Sequence, residues 1–342
     1  MEPELPGTPR LVVDAHTHVT PLALPDCADP ALAQRWPCMR CAAADRATLL
    51  TGDKPFRELD SRSWDIERRL EDMARSGVDR QVLSPMPELL SYWFEGGAAE
   101  PVCDAVNHQI ADMVASENRH FRGLGAVTAQ DPRRAAIQLR RIRSEFGLSG
   151  VEIGSNIAGT MLGDPALDPL YAAAEEEGLA IFVHALHPLA RQEGMSADYV
   201  SLALFPVDVA MAAASLLLAG VMERFPGLRI GFSHGAGALP SLLGRLDKGW
   251  EVTGGFSGKL RQRPSQSATR FFLDSNVYDP AQLAHLATSF APGRVFAGTD
   301  YPYRIMETDV AGLIDAAGLG DDQRRSVECR AIGAFLDDPE FA

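Results

Sequence analysis

Short apolar runs rich in valine, isoleucine and phenylalanine alternate along the chain with longer segments whose apolar residues recur at helical spacing. This alternation is typical of repeated β-α units around a parallel sheet. Eight strand-like runs can be counted, at residues 11–15, 81–84, 123–127, 150–153, 180–183, 229–233, 271–274 and 295–297. Helices are predicted between them, for example at residues 64–76, 102–118, 132–146, 165–177 and 206–224. The pattern predicts an α/β protein, and eight units favour a closed (β/α)₈ TIM barrel with C-terminal helices.

Local signals at the helix ends support this division of the chain. Asp131 followed by Pro132 provides a capping side chain and a proline at the first helical position. Gly77, Gly147 and Gly178 each follow a helical run, where a left-handed residue commonly ends a helix. A doubly wound open sheet is the alternative fold, because the spatial order of the strands is not visible in the sequence.

Residues 21 to about 60 form one long irregular stretch, inserted after the first strand and rich in proline, cysteine and charge. Long loops in compact domains are usually functional or disordered, and we expect this one to cover the active face. Cys38 and Cys41 form a C-x-x-C motif, but only Cys27 lies nearby, so two free thiols are predicted instead of a zinc site. Since no linker or repeat divides the chain, residues 1–342 are interpreted as a single domain.

The charge balance limits the partners of the protein. Lysine and arginine number 32 against 46 acidic residues, which gives a formal net charge of −14. Nucleic-acid-binding proteins usually present a basic surface, so a small-molecule partner is favoured. Residues 1–10 lack the basic and apolar segments of a secretory signal, and the most apolar stretch, 209–221, is too short to span a bilayer. We expect a cytoplasmic protein with no nucleic-acid or membrane partner.

Histidines and one aspartate lie at the ends of several predicted strands. His16 and His18 are two residues apart on the first strand, so both imidazoles point to the same face and can reach one ion. His184 and His234 follow the fifth and sixth strand regions, and Asp300 follows the eighth. The carboxyl ends of barrel strands converge on one mouth, where the active sites of this fold lie. The pattern predicts a metal-dependent active site at that mouth.

The number and kind of metal ions can also be argued. Two-metal sites on this barrel commonly use a bridging carboxylated lysine at a strand end, but the only lysines, Lys54, Lys248 and Lys259, lie in predicted loops or helices. A single metal ion is therefore expected. Three imidazoles and one carboxylate suit zinc best, with manganese or another divalent ion as the alternative, because such ligands discriminate weakly.

Four motifs together resemble the decarboxylase branch of the amidohydrolase superfamily, and most closely the aminocarboxymuconate-semialdehyde decarboxylases. They are residues 14–18 (DAHTH), 182–184 (FVH), 233–237 (SHGAG) and 298–302 (GTDYP). Further similarity at 64–65, 77–79 and 151–156 extends the resemblance over nearly the whole chain. The resemblance implies a metal-dependent, non-oxidative decarboxylase of a small unsaturated carboxylic acid that is similar to a muconate semialdehyde.

The resemblance also implies a role for each strand-end residue. The metal ligands of that family correspond here to His16, His18, His184 and Asp300. His234 corresponds to the base beside the metal-bound water, so His234 and Asp300 are the implied catalytic residues. This agrees with general chemistry, because a divalent ion lowers the pKa of bound water from about 15.7 to about 7 and a nearby imidazole can then accept the proton.

Three further residues are implied substrate contacts. Arg57 resembles the arginine that binds the substrate carboxylate, and Arg245 resembles the arginine contributed across a homodimer interface; a guanidinium pairs with a carboxylate through two parallel hydrogen bonds. Tyr303 stands where the family often has phenylalanine and adds a hydroxyl. The family's tryptophan after strand five is missing, and Tyr199 and Phe205 are the only aromatic residues there. The identity of the substrate is therefore left open.

Three other functions remain open from the sequence. An aromatic-acid decarboxylase of the hydroxybenzoate type would use the same metal ligands, and Arg57 is the residue that discriminates. A metal-dependent hydrolase of a lactone or amide would also use these ligands, so only substrate profiling separates it. A non-catalytic metal-binding or scaffolding protein is the third possibility, against which His234 argues because it is not needed as a ligand.

Overall fold

The computed structural model describes residues 10–341. The expectation of a cytoplasmic location rests on residues 1–10, and nine of these, 1–9, lie outside the described residues. The strands are β1 Val13–Val19, β2 Pro37–Ala43, β3 Arg46–Thr51, β4 Lys54–Asp60, β5 Arg80–Pro85, β6 Phe121–Gly125, β7 Gly150–Gly154, β8 Asn156–Ile157, β9 Thr160–Met161, β10 Ala180–His184, β11 Arg229–Phe232, β12 Phe272–Asp274 and β13 Val295–Phe296. Eight of them form one sheet in the order β1-β5-β6-β7-β10-β11-β12-β13, with parallel pairing throughout. The predicted (β/α)₈ architecture is confirmed.

Helices follow the barrel strands and surround the sheet. They are α1 Ile66–Ser76, α2 Glu100–Ser116, α3 Pro132–Ser144, α4 Asp168–Glu176, α5 Ala197–Tyr199, α6 Phe205–Leu218, α7 Val221–Arg224, α8 Leu239–Val252, α9 Gly254–Gly258, α10 Pro264–Ala268, α11 Pro280–His285, α12 Val310–Ala316, α13 Asp321–Arg325 and α14 Ala331–Leu336. The predicted boundary signals act as expected. Asp131 caps α3, and Gly77, Gly147 and Gly178 have φ values of 68°, 63° and 61°.

The sheet closes where β1 meets the segment around β13. The Ala15 N–H donates to the Ala297 carbonyl at 2.8 Å, and the His18 N–H donates to the Tyr301 carbonyl at 2.7 Å. The C-terminal helix α14 packs against the other end of the barrel. Its Phe335 ring contacts Phe272 of β12 and Phe296 of β13. The aromatic cluster around Phe335 is therefore separate from the mouth at the carboxyl ends of the strands, where active sites of this fold lie.

The insertion after β1 is more regular than the sequence predicts. It contains an antiparallel sheet in the order β2-β3-β4, built from two tight hairpins, instead of an irregular loop. Gly52 forms the second turn with a φ of 58°, and a Cβ atom there would come within 2.4 Å of the Gln34 carbonyl oxygen. Cys38 and Cys41 both lie on β2; residues three apart on a strand face opposite sides, which is poorly suited to binding one ion.

One helix differs from its predicted extent. Residues Ala197–Leu218 form a continuous helix of 22 residues, because the turn Val200–Leu204 between α5 and α6 is a π-helical turn. By length and apolar composition alone this is the one helix in the described part of the chain that could cross a membrane. Half of its most apolar window is buried inside the fold, and core helices of globular proteins meet the same criterion.

Candidate metal centre and active site

Four buried side chains meet at the mouth of the barrel. His16 and His18 project from β1, His184 is the last residue of β10, and Asp300 follows β13. One ligand atom from each lies within 4.8 Å of the others. Asp300 Oδ1 is 3.3 Å from His16 Nε2 and 3.2 Å from His18 Nε2. The structure therefore brings together four of the five strand-end residues, and these are the four that the family resemblance implies as ligands.

Hydrogen bonds determine which ring nitrogen of each histidine faces the cluster. Each Nδ1 atom contacts an oxygen acceptor, which is Asp274 Oδ2 at 2.6 Å for His16, the Pro85 carbonyl at 2.8 Å for His18 and the Ala185 carbonyl at 2.9 Å for His184. A neutral imidazole that donates from Nδ1 has an unprotonated Nε2. The three rings therefore direct Nε2 lone pairs into the cluster, as metal-binding histidines do.

This donor set fits a divalent cation. The Nε2 atoms of His16 and His18 are only 3.1 Å apart, and two lone pairs at that separation repel each other unless a cation lies between them. His184 Nε2 and Asp300 Oδ1 are buried and have no hydrogen-bond partner among residues 10–341. Unpaired buried polar atoms are rare, and metal coordination would satisfy both. The cluster is a buried His-His-His-Asp site for a divalent metal ion.

The protonation states of the cluster also suit metal binding, which requires ionised carboxylates and neutral imidazoles. Burial lowers the pKa of His16 and so favours its neutral form. Burial opposes ionisation of Asp300 and Asp274, but the neighbouring imidazoles and hydrogen bonds outweigh it and hold the pKa of Asp300 well below its usual value. The pKa of Asp274 is lowered as well, chiefly by the hydrogen bond from His16.

A cavity of about 370 Å³ leads to the metal cluster, and Arg57 and Tyr303 line one side of it. The Tyr303 ring stacks on His18 at a centroid distance of 4.9 Å, and the Arg57 guanidinium lies 4.6 Å from the centre of the Tyr303 ring. Among the described residues, Arg57 has one acidic partner, Glu88, at a long 3.9 Å. Burial raises the pKa of Tyr303 far above its usual value, so its hydroxyl, which has no partner within residues 10–341, remains a hydrogen-bond donor.

His234 also lines this cavity but is not one of the four clustered residues. Its ring centroid lies 5.5 Å from that of His184, and its Nε2 atom is buried without a hydrogen-bond partner within residues 10–341. Burial, followed by repulsion from His184, lowers the pKa of His234 to about 4. The ring is therefore neutral near pH 7 and can accept a proton.

Within residues 10–341, Arg245 is the predicted site residue that belongs neither to the metal cluster nor to the cavity lining. It is exposed on α8, while the cavity wall contains residues from the neighbouring helix α6, such as Phe205. A role for Arg245 in the same chain's cavity is thus not supported, whereas a role in a neighbouring subunit stays a prediction.

Two buried carboxylates near the cluster were not identified from the sequence. Asp274 binds His16, and Glu152 on β7 lies 3.6 Å from His18 Nδ1. Burial raises the pKa of Glu152 to about 8, and neither of its oxygens has a partner of hydrogen-bonding geometry among the described residues. A signal existed, because a charged residue in the middle of an apolar strand such as 150–154 (GVEIG) is almost never fully buried without a specific role.

Comparisons with known proteins agree with this architecture. The 2-amino-3-carboxymuconate-6-semialdehyde decarboxylase of Dictyostelium discoideum is 31% identical over 307 residues, which cover 90% of this chain and 86% of that protein. The crystal structure of 5-carboxyvanillate decarboxylase from Sphingomonas paucimobilis superposes with a TM-score of 0.79 at 25% identity, covering 96% of this chain and 99% of that chain.

A further structure shares the fold. It is the 5-carboxyvanillate decarboxylase of Novosphingobium aromaticivorans in complex with manganese and 4-hydroxy-3-methoxy-5-nitrobenzoic acid, with a TM-score of 0.70 at 22% identity over 81% of this chain and 82% of that one. The sequence model described as amidohydrolase matches residues 13–330, which include all four clustered residues and His234. The chain therefore belongs to the amidohydrolase family.

Proposed function

We propose that the protein is a metal-dependent, non-oxidative decarboxylase that releases carbon dioxide from a small unsaturated acid related to aminocarboxymuconate semialdehyde. The observation that carries the proposal is one cavity that leads to the metal donor set. The same cavity is lined by a neutral imidazole outside that set, His234, and by the guanidinium of Arg57, whose contact with Glu88 is a long 3.9 Å. The relatedness to the Dictyostelium discoideum decarboxylase supports the reaction class.

The metal ion that we propose is zinc, held by His16, His18, His184 and Asp300, because neutral imidazoles and a carboxylate suit zinc. Manganese is the alternative, supported by the manganese complex of the Novosphingobium aromaticivorans enzyme. When bound, such an ion lowers the pKa of water and stabilises negative charge as a Lewis acid. Asp300 has a catalytic role through this binding.

The remaining roles follow from positions in the cavity. Arg57 binds a substrate carboxylate, and the Tyr303 ring beneath its guanidinium fixes its orientation. When the bond to the departing carboxylate breaks, its electron pair passes into the conjugated carbonyl or imine, and a proton then replaces the carboxylate on carbon. His234 is neutral, so its Nε2 atom, which is buried and has no hydrogen-bond partner within residues 10–341, can take a proton from water and pass it to that carbon.

The direct test is carbon dioxide release from freshly generated aminocarboxymuconate semialdehyde by zinc-loaded and manganese-loaded protein. The Arg57→Ala variant, assayed at equal metal content, controls for release without the carboxylate contact. We expect rapid release that this variant loses, because Arg57 lines the cavity and its contact with Glu88, at 3.9 Å, is too long to occupy the guanidinium fully. No release from metal-loaded wild-type protein would refute this substrate.

The second candidate is decarboxylation of an aromatic hydroxy acid. The match to 5-carboxyvanillate decarboxylase over nearly the full length of both chains favours it. In that case the metal-loaded protein releases carbon dioxide from 5-carboxyvanillate or a dihydroxybenzoate faster than from the muconate semialdehyde. Hydrolysis of lactones or amides, tested with the same preparations, would replace both proposals if it were the only activity found.

We further propose a homodimer in which Arg245 reaches the neighbouring subunit's cavity. Arg245 is exposed on α8, which packs against α6, and Leu202, in the turn that precedes α6, is exposed at the cavity wall. An exposed leucine of this kind is a candidate for burial in an interface.

The test of the dimer mixes two variants that are each expected to be inactive, His234→Ala and Arg245→Ala. If the arginine acts across the interface, mixed dimers contain one complete site and activity returns; absence of recovery in verified mixed dimers refutes the role.

A further inference from the structure

The cavity contains a buried amide that the roles proposed above do not use. Asn276 is 1% exposed and lines the cavity together with His234 and Asp300. Neither its Nδ2 donor nor its Oδ1 acceptor has a hydrogen-bond partner among residues 10–341. Leaving a buried polar group unpaired carries its full desolvation cost, so buried amides in folded proteins nearly always have partners.

The position of Asn276 is fixed by the backbone. It follows β12 by two residues, and its N–H donates to Asp274 Oδ1 at 3.2 Å, on the carboxylate that also binds His16. Since β12 lies between β11 and β13 in the sheet, Asn276 stands between His234 and Asp300 around the mouth. The side chain is therefore presented beside the proposed reaction centre by a rigid turn.

Nearby polar side chains do not satisfy this amide. Tyr278 is one titratable neighbour of this amide. Burial raises the pKa of Tyr278 and the Asn276 amide partly offsets that rise, yet no hydrogen bond of normal geometry joins the two side chains. Gln282 also lines the cavity but is exposed, so water can satisfy its amide. Apolar side chains such as Val277 and Leu202 contribute the adjacent wall.

We propose that Asn276 is a specificity-determining residue that binds a neutral hydroxyl or amino substituent on the substrate. Such a group donates to Oδ1, and a hydroxyl can also accept from Nδ2, so one substituent pairs both halves of the amide. A site built to hydrogen-bond a substituent rejects analogues that lack it far more strongly than an apolar pocket rejects an added group. This inference rests on the proposed function, because it assigns part of that substrate to the same cavity.

The test measures binding, which does not require turnover. Dissociation constants of meta- and para-hydroxybenzoate and of the matching methylbenzoates are measured by calorimetry on manganese-loaded protein. Hydroxyl and methyl groups have similar size, so each pair isolates hydrogen bonding. Wild-type protein should prefer the hydroxyl compound by roughly tenfold or more at one of the two positions, as expected for pairing a buried polar group.

The Asn276→Leu variant should lose this preference, and Asn276→Ala provides a second variant in case leucine is too large to fold. Gln282→Leu is the matched control, an amide-to-leucine change at an exposed position of the same cavity, and should keep the preference. Metal content and circular dichroism are compared for all proteins. No hydroxyl preference in wild-type protein, or the same preference in a folded Asn276 variant, would overturn the proposal. A hydroxyl preference in protein that releases no carbon dioxide would uphold Asn276 and refute the decarboxylase.

Discussion

Replacing Asp274 with asparagine should weaken metal binding although Asp274 is not a ligand. Asp274 Oδ2 accepts from His16 Nδ1 at 2.6 Å, while Oδ1 accepts from the Gly235 N–H at 2.8 Å and from the Asn276 N–H at 3.2 Å. All these contacts need an acceptor, and an asparagine has only one acceptor oxygen. Its NH₂ group must therefore face either His16 or the two backbone donors.

Both orientations are unfavourable. If the amide NH₂ faces His16, Nδ1 must become an acceptor, the proton moves to Nε2, and Nε2 can no longer bind a metal ion. If the NH₂ faces Gly235 and Asn276 instead, donors oppose donors in a region where Asp274 is fully buried. Loss of such an outer partner typically lowers metal affinity by roughly 10- to 100-fold, or about 1.4 to 2.7 kcal/mol.

Competition with a calibrated zinc chelator measures the affinity, and circular dichroism checks the fold. Asp208→Asn is the matched control. Asp208 is also a buried carboxylate, but its partners are Ser155, Asn156 and the Leu189 N–H instead of a clustered histidine. We expect this control to lower stability and keep zinc affinity. Wild-type affinity in folded Asp274→Asn would refute the reasoning that Asp274 sets the tautomer of His16.

Further predictions concern His234 and Arg57. His234→Ala should retain one metal ion per chain by elemental analysis and lose carbon dioxide release; loss of the metal would instead make His234 a ligand. Arg57→Lys should raise KM about tenfold or more with a smaller effect on kcat, because a lysine cannot form two parallel hydrogen bonds to a carboxylate. In metal-free protein the pKa of His234 is about 4, against about 6.5 in the unfolded chain. Between pH 6.5 and pH 4 the unfolded chain therefore binds more protons than the folded protein, and the free energy of unfolding falls as the pH decreases. Urea unfolding from pH 7 to pH 4 should show a shallower decline in His234→Asn, by up to about 1.4 kcal/mol per pH unit; an equal slope would contradict the lowered pKa.

The convergence of strand-end residues at the mouth of the barrel is the feature of the site that the sequence predicts well. His16 and His18 share a face because they are two residues apart on a strand, and His184 and Asp300 come to them because parallel barrel strands end at one mouth. These inferences need only periodicity and the closure of the barrel. The placement of Arg57 beside Tyr303 has no such origin, since it depends on how the inserted sheet packs, and only the family resemblance indicated it.

Two segments show why the other predictions differ from the structure. Proline and cysteine residues obscure the alternation of apolar and polar residues in β2 to β4. Gly52 and Asp53, between β3 and β4, are nevertheless typical of a hairpin turn. The sequence pattern predicts a helix at residues 206–224, beginning at Pro206. The helix instead begins at Ala197 and continues through Pro206, which has no N–H to donate. A π-helical turn lies just before this proline, and in it the Phe205 N–H donates to the Val200 carbonyl.

The shape of the cavity wall is the part that sequence patterns do not predict, and the reason lies in the backbone. His234, Tyr278 and Asp300 follow three consecutive barrel strands, line the cavity, and have φ values of 54°, 56° and 69°. Residues with a Cβ atom reach this left-handed region at a cost of roughly 1 kcal/mol or more each, so local propensity predicts other conformations. Tertiary bonds hold them there; the Asp300 N–H, for example, donates to the His16 carbonyl at 2.9 Å. The positions of the His234 imidazole and the Asp300 carboxylate are therefore set by the tertiary fold of the mouth, which local sequence patterns do not encode.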